Sequence, residues 1–230
     1  MVSNNIYSRG NITISEPLTV KKCLDFELTG GGINPEWKKA AWNHMTKIDS
    51  GGEEYESKFK ILYSLKGIYV LFYGKDKRIT TNYENDFDNL YKGDVFEAFF
   101  HPATEVPIYF EYEINQLNAE LVLLIPNLNG KQYGWTPWHY DERRVIRKIS
   151  VDAKGGEIKP GGNIKSWSVE LFFPYVLFKP LSNVPPKSGT IWNANFCRLD
   201  YDSGKMIKWS WSPINVNFHE FEKFRQIKFE

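Results

Sequence analysis

Short runs of alternating apolar and polar residues, broken by glycine and proline, recur along this chain and set its expected architecture. Residues 67–73 (GIYVLFY), 94–100 (DVFEAFF), 108–115, 120–125, 166–173, 190–199 and 224–229 read as strands. Turn signals such as Gly30-Gly31-Gly32, Gly51-Gly52, Pro160-Gly161-Gly162 and Pro185-Pro186 punctuate them. Period-2 reading assigns the faces. Trp167, Val169, Leu171 and Phe173 share one face, with Ser166, Ser168 and Glu170 on the other. Phe96, Ala98 and Phe100 oppose Val95, Glu97 and Phe99. Phe110, Tyr112 and Ile114 oppose Tyr109, Glu111, Glu113 and Asn115. Neighbouring strands therefore turn Glu97, Glu113 and Asn115 toward a common polar surface. Residues 67–73 are apolar on both faces, as a central strand is. One short helix is expected at residues 34–42, capped by Asn34 with Pro35 in its first position.

These signals predict an all-β fold: a two-sheet antiparallel β-sandwich, jelly-roll-like, with one short helix near the N-terminus. No repeat or linker divides the 230 residues, so residues 1–230 are read as a single domain. Hydrophobic residues at 42% and charged ones at 25% place the chain among globular folds. The 29 basic and 28 acidic residues leave a net charge of +1, with no bulk field for nucleic acid or an anionic membrane. No run of about 18 apolar residues spans a bilayer. Aromatic residues reach 16%, enough to pack a core and leave rings over for a stacking surface. Trp37, Trp42, Trp167 and Trp192 are expected in the core. Trp209 and Trp211 share a face and are expected in core or edge packing. Cys23 and Cys197 are compatible with two thiols or one long-range disulfide. Met1 to Asn5 form no basic-then-apolar leader, so the chain as written is expected in the cytoplasm, or outside the cell if a leader has been trimmed.

The order of these signals resembles carbohydrate-binding module family 9, in its branch of stand-alone modules. A Trp-x-x-Ala (Trp37 to Ala40) precedes Gly-Ile-Tyr-Val at 67–70. Then come Tyr91-Lys92-Gly93-Asp94-Val95-Phe96-Glu97 and Tyr-x-Glu-x-Glu-x-Asn at 109–115. Trp-Ser-Val-Glu at 167–170 leads to Phe-Pro at 173–174, followed by Asn-Phe-x-Arg at 195–198 and a terminal Phe-His…Phe-x-x-Ile-x-Phe at 218–229. The resemblance covers most of the chain from Asn34 onward. It implies a sandwich without catalytic machinery that binds a mono- or oligosaccharide, often at a chain end, between two aromatic rings. Those rings fall on Tyr91 and near Phe218, where the best-known sugar-binding members carry Trp. Polar ligand contacts fall on Glu97, Glu113 and Asn115, Glu113 standing where the family carries a basic residue. Structural calcium accompanies members of the family, and no organic cofactor is expected.

The residues suit that chemistry. A pyranose presents a C–H face that packs flat on a ring, and a hydroxyl rim that forks between carboxylate and amide partners. Each ring contributes about 1 kcal/mol beyond area burial, and two rings with a polar rim reach micromolar affinity, about −8 kcal/mol. The aromatic loop 133–140 adds Trp138 as a rim residue. Alternatives from the same residues are packing roles for Tyr91 and Phe218, ion pairs of Glu97 or Glu113 with Arg198 or Arg143, and a turn-forming Asn115. Glu111 and Glu113, about 6.5 Å apart along a strand, fall within the 5–9.5 Å of paired glycosidase carboxyls, which makes a glycoside-processing enzyme the runner-up. A haem site from Met45 or Met206 with His219, or a protein-interaction sandwich, comes third. The acidic stretches at 49–54 and 84–88 offer oxygen ligands suited to calcium.

Overall fold

The computed structural model describes residues 16–135, 141–155 and 157–230. Its strands in chain order are β1 (Leu18–Lys22), β2 (Asn43–His44), β3 (Thr46–Lys47), β4 (Ser57–Tyr63), β5 (Gly67–Lys75), β6 (Val95–His101) and β7 (Ile108–Ile114). Then follow β8 (Glu120–Leu128), β9 (Lys131–Gln132), β10 (Ile146–Ala153), β11 (Ile164–Pro174), β12 (Ile191–Asp200), β13 (Ile207–Ser210) and β14 (Arg225–Phe229). One layer runs β10-β11-β5-β4, and the other runs β14-β12-β6-β7-β8-β9. β1 joins them: Leu18 to Val20 pair in parallel with Ile227 to Phe229, and Lys21 and Lys22 with Leu62 and Tyr63. The remaining pairings within the layers are antiparallel.

The layers meet through the inward faces that the alternation predicts. Phe59 stacks on Phe196 at 3.9 Å, Phe72 on Phe96 at 4.9 Å, and Phe96 on Trp167 at 4.2 Å. Trp167, Val169, Leu171 and Phe173 all enter this interlayer core, as do Trp192, Trp209 and Trp211. β5 is apolar on both sides because both are covered. Ile68, Val70 and Phe72 face the other layer, while Tyr69 and Leu71 lie beneath a cluster with Cys23 and Trp37. Glu170, on the outward face of β11, holds that covering segment down. It accepts from Thr29 Oγ1 at 2.9 Å, from the amides of Thr29 and Gly30, and from the Trp37 indole.

Two expectations are corrected, and the alternative left open for the cysteines is decided. The helix at 34–42 is a single 3₁₀ turn, Pro35–Lys39; the Asn34 side chain accepts from Glu36 N at 3.0 Å as expected, but Ala40 is already extended. The Ala40 amide closes the last turn on the Trp37 carbonyl at 3.3 Å, and the chain then runs on to β2. Trp42 is half-buried, its ring under the ammonium groups of Lys58 and Lys60 at 5.0 and 5.1 Å. Cys23 and Cys197 are free thiols buried in different clusters.

Candidate functional site

On the outward face of β6, β7 and β8 lies a cavity of about 810 Å³. Its floor follows from register. Glu97 of β6 sits directly opposite Glu113 of β7, with Glu111 two residues further along the same face. Glu113 and Glu111 in turn face Leu121 and Leu123 of β8. Three carboxyls therefore border an apolar strip of Leu121, Leu123 and Ile125. Walls come from the turn carrying Asn89, Tyr91 and Lys92, from Leu199 and Tyr201, from Met206 and Lys208, and from the loop Val216 to His219. That last loop is tied by Glu220, whose carboxyl accepts the amides of Asn215, Val216 and Asn217. Burial raises the Glu220 pKa, but Lys223 and these amides outweigh it and hold it at about 2.

The electrostatics are those of carboxyls taken out of water with no lysine or arginine paired to them among the described residues. Glu97, Glu111 and Glu113 are only 2–3% exposed. Burial, with repulsion from Glu111, holds Glu97 well above the usual carboxylate range. Burial, with Glu97 and Glu111 beside it, does the same to Glu113, against a smaller opposing pull from a Tyr91 backbone hydrogen bond. Burial pushes Glu111 up to about 7, and a hydrogen bond with Glu113 opposes that rise. Glu111 Oε2 and Glu113 Oε2 have no hydrogen-bond partner. His219 lies beside them, its Nδ1 2.8 Å from the Tyr109 hydroxyl and 3.8 Å from Glu111 Oε2. Burial lowers its pKa to about 4, so the imidazole is neutral at pH 7.

Of the residues expected in the site, Tyr91, Glu97, Glu113 and Phe218 border this one cavity. Tyr91 is 43% exposed and fixed in place, its carbonyl accepting from the Tyr201 hydroxyl at 2.7 Å and its own hydroxyl donating to Asn89 Oδ1 at 3.2 Å. Phe218 is buried to 6% exposure and meets Phe99 edge-on at 6.3 Å, so it presents a wall more than a free face. Asn115 is the exception. It is fully buried just beyond β7, where Oδ1 accepts the amides of Leu117 and Ala119 and Nδ2 donates to the Tyr83 carbonyl. Its polar atoms are spent on the β7–β8 turn, the turn-forming role that was the alternative for it. Trp138 lies outside the described residues. Arg198, the alternative ion-pair partner for Glu97 or Glu113, is committed instead to Asp76 at 3.1 Å and Asp200 at 2.6 Å.

With that geometry in hand, the comparisons with known proteins bear on the fold and its family. The model of carbohydrate-binding family 9 matches residues 36–229. The chain belongs to that family. Its fold is shared by a provisionally assigned carbohydrate-binding protein from Bacteroides uniformis (19% identity, TM-score 0.72, 94% of this chain and 99% of that one). It is shared also by a family 9 module from Caldicellulosiruptor kristjanssonii in complex with cellotriose (19%, 0.62, 94% and 94%) and by one from the same organism in complex with glucose (18%, 0.60, 92% and 95%). No curated protein matches significantly.

The family 9 chain also places in the cavity residues that sequence reading did not assign to sugar: Glu111, Tyr201, Asn217, His219 and Lys92. Glu111 carried a signal, its i,i+2 spacing from Glu113, but was read only as half of a catalytic pair. His219 entered only as a haem ligand. Of its partners in that reading, Met206 borders the cavity and Met45 lies in the interlayer core. Four carboxylates of the acidic stretches expected to suit calcium meet the chain's own cations. Asp49, Glu53 and Glu54 are met by Lys208, Lys77 and Lys47, and Asp86 by Arg144 and Arg147. Among the described residues, one carboxylate group is tight enough for a metal: Asp76, Asp200 and Asp202, within 4.8 Å of one another. The Arg198 guanidinium already holds two of these three, and Asp202 accepts from Tyr55 and Thr80 hydroxyls at 2.6 and 2.9 Å. The group is thus three carboxylates served by one guanidinium.

Proposed function

We propose that this family 9 module binds a mono- or oligosaccharide in the cavity and does not cleave it. The Tyr91 ring lies against the sugar's C–H face, Phe218 walls the site, and Glu97, Glu111 and Glu113 take its hydroxyls. The observation that carries the reading is the convergence, in one cavity, of an exposed and fixed tyrosine with buried carboxyls holding unpartnered oxygens. Apolar wall and fixed polar groups together are what a small-molecule site requires. The Caldicellulosiruptor modules of the same fold, in complex with cellotriose and glucose, add support for a carbohydrate ligand. Absence of catalysis is supported by membership of a carbohydrate-binding family.

Calorimetric titration with glucose and cellotriose tests this. Tyr91→Ala is expected to weaken binding about tenfold, the loss of one stacking ring, without lowering Tm. Unchanged affinity in that variant would remove Tyr91 from the site. Turnover of a chromogenic glycoside by the wild-type protein would replace the binding reading with an enzymatic one.

A further inference from the structure

We propose that the cavity is built for a sugar bearing a free amine, an amino-deoxyhexose or a short chain of them, whose ammonium group sits among Glu97, Glu111 and Glu113. This rests on the carbohydrate reading and narrows its ligand class.

The first argument is charge. Like charges directly opposite on paired strands destabilise a sheet, and Glu97 and Glu113 are so placed, with Glu111 alongside. Buried carboxyls of this kind are ordinarily answered by a cation. Among the described residues, no lysine or arginine lies within ion-pair distance of the three. Arg198 is held by Asp76 and Asp200, Arg147 by Asp86 and Glu120, and Lys208 by Asp49 at 3.3 Å. Lys92, also at the cavity edge, is 5.9 Å from the Tyr91 ring centroid. His219 is neutral at pH 7, and the other groups around the carboxyls, Cys197, Tyr109 and Tyr201, supply no positive charge.

The second argument is hydrogen-bond stoichiometry. The unpartnered Glu111 Oε2 and Glu113 Oε2 are acceptors when ionised. A hydroxyl brings one donor with two lone pairs and leaves the charge unanswered. An ammonium brings three donors, no lone pair, and the missing charge. The exposed Tyr91 ring adds a face that attracts cations as well as C–H groups. An N-acetylated amine has lost both the charge and two of the donors. Because burial holds these carboxyls above their usual range, entry of an ammonium drives protons from them to solvent.

The test is calorimetric titration of the full chain at pH 7 with D-glucosamine, D-glucose, N-acetyl-D-glucosamine and cellotriose, in two buffers of different ionisation enthalpy, with calcium chloride alone as a control. Glucosamine should bind about tenfold tighter than either neutral monosaccharide, with a buffer-dependent heat from proton release. Glu113→Gln and Glu97→Gln should abolish that preference while leaving Tm unchanged or raised. Equal or tighter binding of glucose or N-acetylglucosamine overturns this proposal and leaves the carbohydrate reading standing. Saturation by calcium with no preference for glucosamine also overturns it, assigning the carboxyls to a metal. Silence across all four sugars overturns both.

Discussion

Glu111 shows what a buried carboxyl costs the fold that carries it. Its carboxyl is raised from the ordinary 4.5 to about 7, chiefly by burial. A carboxyl raised on folding stabilises the native state while protonated. That contribution is full below about pH 4.5 and is lost as pH climbs through 7. Replacing Glu111 by Gln, which keeps the shape and removes the charge, should therefore change Tm little at pH 5 and raise it at pH 8. Each kcal/mol relieved is worth roughly 2–4 °C in a chain of this size. The difference between variant and wild type is the quantity to follow by thermal denaturation. In wild type alone, His219 works in the opposite sense. Depressed to about 4, it favours the fold above its ordinary 6.5 and withdraws that support as pH falls through 4. A Glu111→Gln difference that stays flat with pH would mean the carboxyl is not buried as described.

At the scale of elements, β11 has two faces with separate duties. Its inward side packs Trp167 and Phe173 into the core, while its outward Glu170 gathers Thr29, Gly30 and Trp37. Glu170→Ala should release the segment that covers β5. Loss of several bonds to one buried carboxylate predicts destabilisation of about 3 kcal/mol and red-shifted tryptophan emission as Trp37 meets water. Sugar affinity, if it lies as proposed on the outer face of the other layer, should stay within about twofold of wild type; a larger loss would show that the two faces are coupled. The same elements show what a strand leaves in its sequence. β5, β6, β7, β11 and β12 were legible within a few residues because aromatic and β-branched side chains alternate over buried lengths. β10 was missed because it is an edge strand whose half-buried face carries Arg147 beside Ile149, Val151 and Ala153, while Ile146 falls on the exposed face. β1 was missed because Val20 is its one fully buried residue. The helix was overextended for the opposite reason: a good local cap and a proline start gave no warning that Glu170, far along the chain, claims Trp37.

The whole molecule determines which charges find partners, and this was the least legible level. Glu97 and Glu113 could be placed on one face from alternation alone. Tyr201 and His219 could not be placed in the same cavity, because that proximity depends on how two distant loops fold over β6. Arg198 is the other case. Completely buried, it gathers Asp76 and Asp200 and lies against the rings of Tyr55 and Trp209 at 5.1 and 5.3 Å. With that cation resident, treatment with a chelator should leave Tm unchanged, and Arg198→Met should destabilise the fold by about 3–5 kcal/mol through the orphaned aspartates. A fall in Tm on chelation would show that an ion shares the group with the guanidinium. Finally, β1 has a mechanical consequence. It runs parallel to β14, so a pull outward on Leu18 and on Glu230 drives the two strands past each other lengthwise. Their rungs, Leu18 with Ile227 through Val20 with Phe229, then carry the load together instead of unzipping in turn. The seam that joins the layers is thus also the place where the fold best resists being drawn apart by its ends.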